Sequence, residues 1–303
     1  MQTLLHIIHV KAYLLFPLLA AMLYALGTMA LKASSDLGTD RIRTTFICNF
    51  ALAAGFLFFY NWKDFPSLPS PCWPIILQAV LFVLGQVFTI LALSSGEVSS
   101  VTPVFGVKAV FVGFIAAFIL GVPVDLLTWI AAVCSVIGIA FLQVHDKPET
   151  PREQMYAICY AFFAAVAFAG FDSMTQYWSP RLGFGNLVPP AMVLAAFLSL
   201  AIVPRGKVTT WHGVPTAALP YLAIGVGLFT LQSLVLITAI GVYGDAAGAN
   251  VIYSSRGLWG IMFVWLIGAW FGNSELAASS PRVLVARMVG AFLVTVATVL
   301  IFL

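Results

Sequence analysis

Charged residues are scarce in this chain of 303 residues: only 8% are Asp, Glu, Lys or Arg, against about 25% in an average soluble domain. Hydrophobic residues make up 62% of the sequence, and the mean hydropathy is +1.04. This composition excludes a soluble globular domain and predicts a multi-pass integral membrane protein in a lipid bilayer. Because the polar breaks are short, we expect no additional soluble domain.

Motifs of nucleotide-hydrolysing and other enzymes are also absent. The sequence has no Walker motif, no nucleophile elbow and no zinc-protease helix, and its four cysteines form no Cys-x-x-Cys pair. We therefore expect that the protein is not an enzyme and has no metal site and no cofactor. The net charge of +3 gives no indication of a nucleic acid partner, and none is expected.

Apolar runs punctuated by Pro and Gly predict ten membrane-spanning helices of about 20 residues each. The predicted spans are 12–32, 41–62, 73–93, 99–121, 125–144, 154–178, 186–203, 215–240, 246–271 and 282–303. The longest polar break, 145–153, is interpreted as a linker between two five-helix halves, 1–144 and 154–303. The predicted fold class is all-α and integral to the membrane.

The two halves are predicted to be inverted repeats. An odd number of spans in each half makes the second half enter the membrane from the opposite side. Nine Lys and Arg residues lie on one predicted side and three on the other, a bias that fits this inversion. The positive-inside rule makes the nine-residue side cytoplasmic, so both termini are predicted to lie outside a bacterial inner membrane. Gly138 in span five corresponds to Gly290 in span ten.

Two central stretches, 97–112 and 245–260, align without a gap at a separation of 148 residues. In each stretch a cation follows an acidic residue by eleven positions, the cations being Lys108 and Arg256. Eleven helical residues span roughly 16 Å, which is about half of the ~30 Å hydrocarbon core. Two cations at matching depth predict a site on an internal symmetry axis.

The two central cations are interpreted as a ligand-binding pair, or else as structural charges satisfied by backbone carbonyls or an acid. A cation at the bilayer centre costs about 2.5–3.5 kcal/mol on insertion scales. Arg256 offers a planar fork that suits a carboxylate or phosphate, whereas Lys108 offers a compact point charge. Aromatic residues stand three positions before and after each cation, namely Phe105 and Phe111, and Tyr253 and Trp259. These rings flank the cation, bind a ligand, or simply pack against neighbouring helices.

Three acidic residues have predicted roles in the membrane region. Asp172 stands well inside span six, where it pairs with Lys108 or Arg256, binds a substrate amine, or carries a proton for coupling. Glu97 and Asp245 are expected to cap the fourth and ninth spans, because a carboxylate suits the positive end of a helix dipole.

Weaker similarities extend the repeat to other spans. The segment YALGTMAL at 24–31 resembles AFAGFDSM at 167–174. Gln86 in span three and Gln232 in span eight are buried amides on symmetry-related spans. They are expected in the central cavity, although hydrogen bonding between helices is the alternative.

Ten spans in two inverted halves resemble the drug/metabolite transporter superfamily, in particular its EamA-type members. The segments LALSSGEVSSVTPVFGVKAV and ITAIGVYGDAAGANVIYSSRG carry the resemblance. It implies a central cavity lined by spans 4 and 9 together with spans 1, 3, 6 and 8, and alternating access by rocking of the two halves. The paired cations look more like those of the branch that moves phosphorylated organic anions.

The predicted function is secondary transport of a small organic solute that carries a carboxylate or a phosphate. The partners would be the substrate, the lipid bilayer and a proton or counter-substrate that supplies the gradient. The first alternative is an exporter of amino acids or other zwitterions, in which Asp172 binds the ammonium group. The others are a flippase for lipid-linked substrates and a membrane subunit that does not transport.

Overall fold

The computed structural model describes residues 11–64, 69–95, 104–142, 144, 151–202, 214–267 and 281–302, and within these ranges it contains helices and turns but no strand. In chain order the helices are α1 Leu15–Asp36, α2 Arg41–Leu57, α3 Trp73–Ser95, α4 Lys108–Phe114, α5 Leu126–Leu142, α6 Pro151–Leu182, α7 Phe184–Ile202, α8 Leu219–Tyr243, α9 Ala246–Tyr253, α10 Arg256–Ile267 and α11 Pro281–Phe302. A π-helical turn, Ile115–Ile119, directly follows α4.

Six of the helical segments are long and apolar enough to cross a membrane. They are Ala12–Asp36, Trp73–Ala92, Met155–Leu182, Phe184–Ala201, Thr216–Tyr243 and Val285–Phe302. Shorter apolar helices cover Ile42–Leu57, Val104–Ile119 and Leu126–Leu142. The described helices follow the order of the ten predicted spans, with α9 and α10 together replacing the ninth. The prediction of an all-α integral membrane protein is confirmed.

Carboxylate caps and left-handed glycines set several helix boundaries. Asp40 accepts a hydrogen bond from the Ile42 amide at 2.9 Å at the start of α2. Gly244 ends α8 with a φ of 71°, a conformation that favours glycine, and Asp245 then caps α9 by accepting from the Gly248 amide at 2.8 Å. The predicted cap at Asp245 is confirmed, whereas Glu97 lies outside the described residues.

The first turn of α6 overlaps the predicted linker. The linker was expected to cover 145–153, and α6 begins at Pro151. Proline suits the first turn of a helix, because its fixed φ is helical and its missing amide hydrogen would have no partner there. Residues 145–150 lie outside the described residues.

Helices from different halves pack against each other throughout the bundle. The closest pairings are α1 with α8, α3 with α6, α5 with α11 and α2 with α7. Glycines allow some of these contacts: a Cβ at Gly138 of α5 would stand 3.0 Å from the Gly290 carbonyl of α11. The two glycines that correspond in the repeat therefore meet at one crossing.

The pairings are those that the predicted repeat would give. In the predicted repeat, α1 corresponds to α6 and α3 corresponds to α8, so the α1–α8 contact and the α6–α3 contact would be equivalent. The α5–α11 and α2–α7 contacts each join corresponding helices. The division into two halves, their inversion in the membrane and the external position of both termini stay predictions.

Candidate functional site

Both central cations begin a helix after a short interruption. α4 starts at Lys108, after a single turn residue, Val107, which keeps helical backbone angles, and α10 starts at Arg256, after a turn at Ser254 and Ser255. The turn divides the ninth predicted span, 246–271, into α9 and α10.

Local hydrogen bonds of two serines account for the turn between α9 and α10. The Ser254 hydroxyl donates to the Asn250 carbonyl at 2.8 Å. The Ser255 amide donates to the Ile252 carbonyl at 3.0 Å, three residues back instead of the four of an α-helix. Serine side chains compete with the helical backbone pattern, and a three-residue hydrogen bond tightens the last turn. Arg256 is left as the first residue of α10, inside the predicted span.

Lys108 is neutralised by an acid from another helix. Its ammonium nitrogen lies 2.7 Å from Oδ2 of Asp172 on α6, and the two side chains are 15% and 3% exposed. The same carboxylate oxygen accepts a hydrogen bond from Nδ2 of Asn250 on α9 at 2.7 Å. The Phe168 ring, one turn before Asp172, lies 5.8 Å from the ammonium. Three helices thus meet at a buried ion pair, whose carboxylate also accepts a hydrogen bond from the Asn250 side chain.

Arg256 has aromatic neighbours instead of an acid. Its guanidinium carbon lies 5.2 Å from the ring centroid of Tyr24 on α1 and 4.7 Å from that of Tyr253. The Tyr253 hydroxyl donates to Oε1 of Gln232 on α8 at 2.9 Å, which fixes the ring. In the described part of the chain, no carboxylate lies within ion-pair distance of Arg256.

The position of Arg256 inside the predicted span is costly without an anion, because a cation in the membrane needs a partner. Two nearby hydrogen-bond donors, Ser255 Oγ and Trp259 Nε1, are buried and have no partner among the described residues. A ligand with negatively charged oxygen atoms could satisfy the guanidinium and such donors together.

Buried polar contacts fix α9, which carries residues of both cation environments. Asp245 accepts a hydrogen bond from the Tyr13 hydroxyl at 2.7 Å. Gln176 of α6 accepts from the Ala246 amide at 3.0 Å. Asn250 also donates to the Ala246 carbonyl, at 2.8 Å. These contacts hold α9 at both its start and its middle, so Asn250 and Tyr253 reach their partners from a fixed helix.

The structure brings one of the two predicted amides to the cations. Gln232 contacts Tyr253, which lies against Arg256. Gln86 instead donates to Oδ1 of Asn49 on α2 at 2.8 Å. Gln86 therefore makes a hydrogen bond between helices, which was the stated alternative for this residue.

Of the four predicted rings, Tyr253 lies against its cation. Phe111 contacts the Phe162 ring at 5.2 Å, Trp259 stacks on Phe263 at 5.9 Å, and Phe105 packs against a cluster of buried alanines. The rings that sequence reasoning missed are Tyr24 and Phe168, because both belong to other helices than their cation. The sequence did contain a signal for these two rings, since they lie in the segments 24–31 and 167–174, which resemble each other.

The fold defines a class: a multi-pass helical membrane protein. Residues 11–144 match the model of the EamA-like transporter family, which is part of the drug/metabolite transporter superfamily. The match confirms the resemblance predicted from the sequence, and the family is one of membrane transporters of small solutes.

Solved structures share this fold. Among 29 matching chains, one described as "Crystal structure of protein" has a TM-score of 0.64 and 16% sequence identity, over 96% of this chain and 97% of that chain. At this identity the similarity establishes the fold alone. A search of curated proteins finds no match.

Proposed function

We propose that the protein is a secondary transporter for a small organic solute that carries a negatively charged group. The solute binds at Arg256, in the region where α4, α9 and α10 meet α1, α6 and α8. Alternating access moves this site from one side of the membrane to the other, and a proton or counter-substrate gradient drives the cycle. The protein acts as a carrier and not as an enzyme.

The observation that carries the proposal is the uncompensated charge of Arg256. Keeping a cation inside the membrane costs about 2.5–3.5 kcal/mol on insertion scales. Lys108 has its acid at 2.7 Å, whereas Arg256 lies against two tyrosine residues and has no described acid. The rings support the guanidinium, whose planar fork can form the two parallel hydrogen bonds that an oxyanion accepts.

A zwitterionic solute is supported less well by the contacts of Asp172. Its Oδ2 already receives both Lys108 and Asn250. An ammonium group would have to displace Lys108 and leave that cation buried without a partner. A lipid-linked solute would use the same guanidinium through its phosphate, so it is distinguished only by experiment.

Uptake into proteoliposomes tests the proposal. Small carboxylates, organophosphates and amino acids are first screened by thermal shift, and the most stabilising compound is then used labelled. Arg256→Gln should reduce uptake by about 100-fold, since truncating one partner of a buried charge pair costs roughly 2–5 kcal/mol. Arg181→Gln is the matched control, because Arg181 also lies over a tyrosine ring, Tyr177, but at the exposed end of α6.

Undiminished uptake by a folded Arg256→Gln protein would contradict the proposal. Uptake that requires a lipid anchor on the solute would favour the flippase alternative instead. Normal folding with no uptake of any compound by the unaltered protein would favour the non-transporting subunit.

A further inference from the structure

The two central cations contribute unequally to the charge that a ligand meets. The ammonium of Lys108 and the carboxylate of Asp172 form an ion pair at 2.7 Å, and Asn250 occupies the same carboxylate oxygen. Together these three side chains have no net charge. Arg256 lacks such a partner within the described ranges. The described part of the site therefore presents one net positive charge, although the sequence places two cations there.

We propose that the site selects solutes with a single carboxylate, and that Asp172 sets this selectivity by neutralising Lys108. The inference rests on the proposed function, because it concerns the ligand of the same Arg256 site. Asp172 is a specificity-determining residue in this proposal and makes no contact with the solute.

A single carboxylate matches the one available cation in charge and in shape. The planar guanidinium can donate two parallel hydrogen bonds to the two carboxylate oxygens. A phosphate monoester brings a second negative charge, which would be desolvated without a cation of its own. An amino acid brings an ammonium group, and the carboxylate that could receive it is already bound by Lys108 and Asn250.

Three variants change the charge of the site in single steps. Asp172→Asn releases Lys108 and gives a formal charge of +2, Lys108→Gln leaves Asp172 and gives 0, and the double variant Lys108→Gln/Asp172→Asn restores +1. If Asp172 acts through charge, the double variant should select ligands as the unaltered protein does. If Asp172 acts only as a structural contact, the double variant should be the most impaired of the three.

The ligands are matched triplets of similar length and bulk, such as butyrate, 2-aminobutyrate and propyl phosphate, over a range of chain lengths and rings. Binding to the purified protein is measured at pH 8, where a phosphate monoester is a dianion because its second pKa is about 6. In the unaltered protein and the double variant, the monocarboxylate should bind tightest. Asp172→Asn should shift the preference toward the phosphate monoester by about tenfold or more, since it adds a nearby buried cation. Lys108→Gln should weaken monocarboxylate binding by a similar factor.

The inference is overturned if the amino acid or the phosphate monoester binds tightest to the unaltered protein, or if no member of any triplet binds. It is also overturned if Asp172→Asn folds and keeps the original preference. If Asp172→Asn does not fold, the double variant decides instead: the inference is overturned if that variant loses the monocarboxylate preference. Arg256→Gln distinguishes failure of the proposed function from failure of the inference. If this variant binds all triplets normally, the proposed function itself fails. If it binds none while the charge variants show no shift, only the inference fails.

Discussion

The environments of Lys108 and Arg256 resemble each other in their rings and differ in charge. Each cation is the first residue of a helix and lies near a ring from another helix, Phe168 of α6 for Lys108 and Tyr24 of α1 for Arg256. Asp172 of α6 neutralises Lys108, whereas no described carboxylate lies within ion-pair distance of Arg256.

That single difference gives the two cations different roles. The Lys108 environment joins α4, α6 and α9 through a satisfied ion pair, so it stabilises the bundle without a ligand. In the proposed function, an anion from solution completes the Arg256 environment. One cation would then make a structural contact and the other a binding contact.

The largest expected effect comes from removing the acid on the Lys108 side. Asp172→Ala leaves a buried ammonium without its partner, which typically costs about 3–5 kcal/mol. Arg256→Met should cause no comparable loss in the absence of ligand, because no described acid is left behind. Thermal unfolding of both variants in detergent measures the difference.

A double variant controls the stability comparison between the two cations. Lys108→Met/Asp172→Leu removes both charges and should be more stable than Asp172→Ala alone, because apolar replacements of a buried pair are often tolerated. Equal destabilisation by Asp172→Ala and Arg256→Met would show that the two environments do not differ as described.

The positions of the spans and the two central cations could be predicted from the sequence, because hydropathy and the constant separation of 148 residues depend on order along the chain. The break at Ser254 and Ser255 could not be predicted, because the hydropathy is continuous across it. It depends instead on which backbone carbonyl accepts the hydrogen bond from each amide. The α9 cap at Asp245 was predictable, since its acceptor and donor are three residues apart.

The sequence also could not predict which of the two cations pairs with Asp172. Lys108 and Arg256 have similar predicted depths, so both were acceptable partners, and the rotation of α6 decides between them. Spacing of three residues identified Tyr253 as a neighbour of Arg256 because they share a helix face. The same rule misassigned the ring beside Lys108, because Phe168 reaches it from another helix.

The smallest expected effect separates the support of Arg256 from its charge. Tyr253→Phe keeps the ring over the guanidinium but removes the hydrogen bond to Gln232, which should lower stability by about 1 kcal/mol and change ligand affinity little. Tyr24→Phe is the control, because it also keeps a ring and its hydroxyl makes no hydrogen bond among the described residues. Unfolding and ligand titration of both variants distinguish the contributions. A large loss of affinity in Tyr253→Phe alone would mean that the hydroxyl, and not only the ring, orients Arg256 toward the ligand.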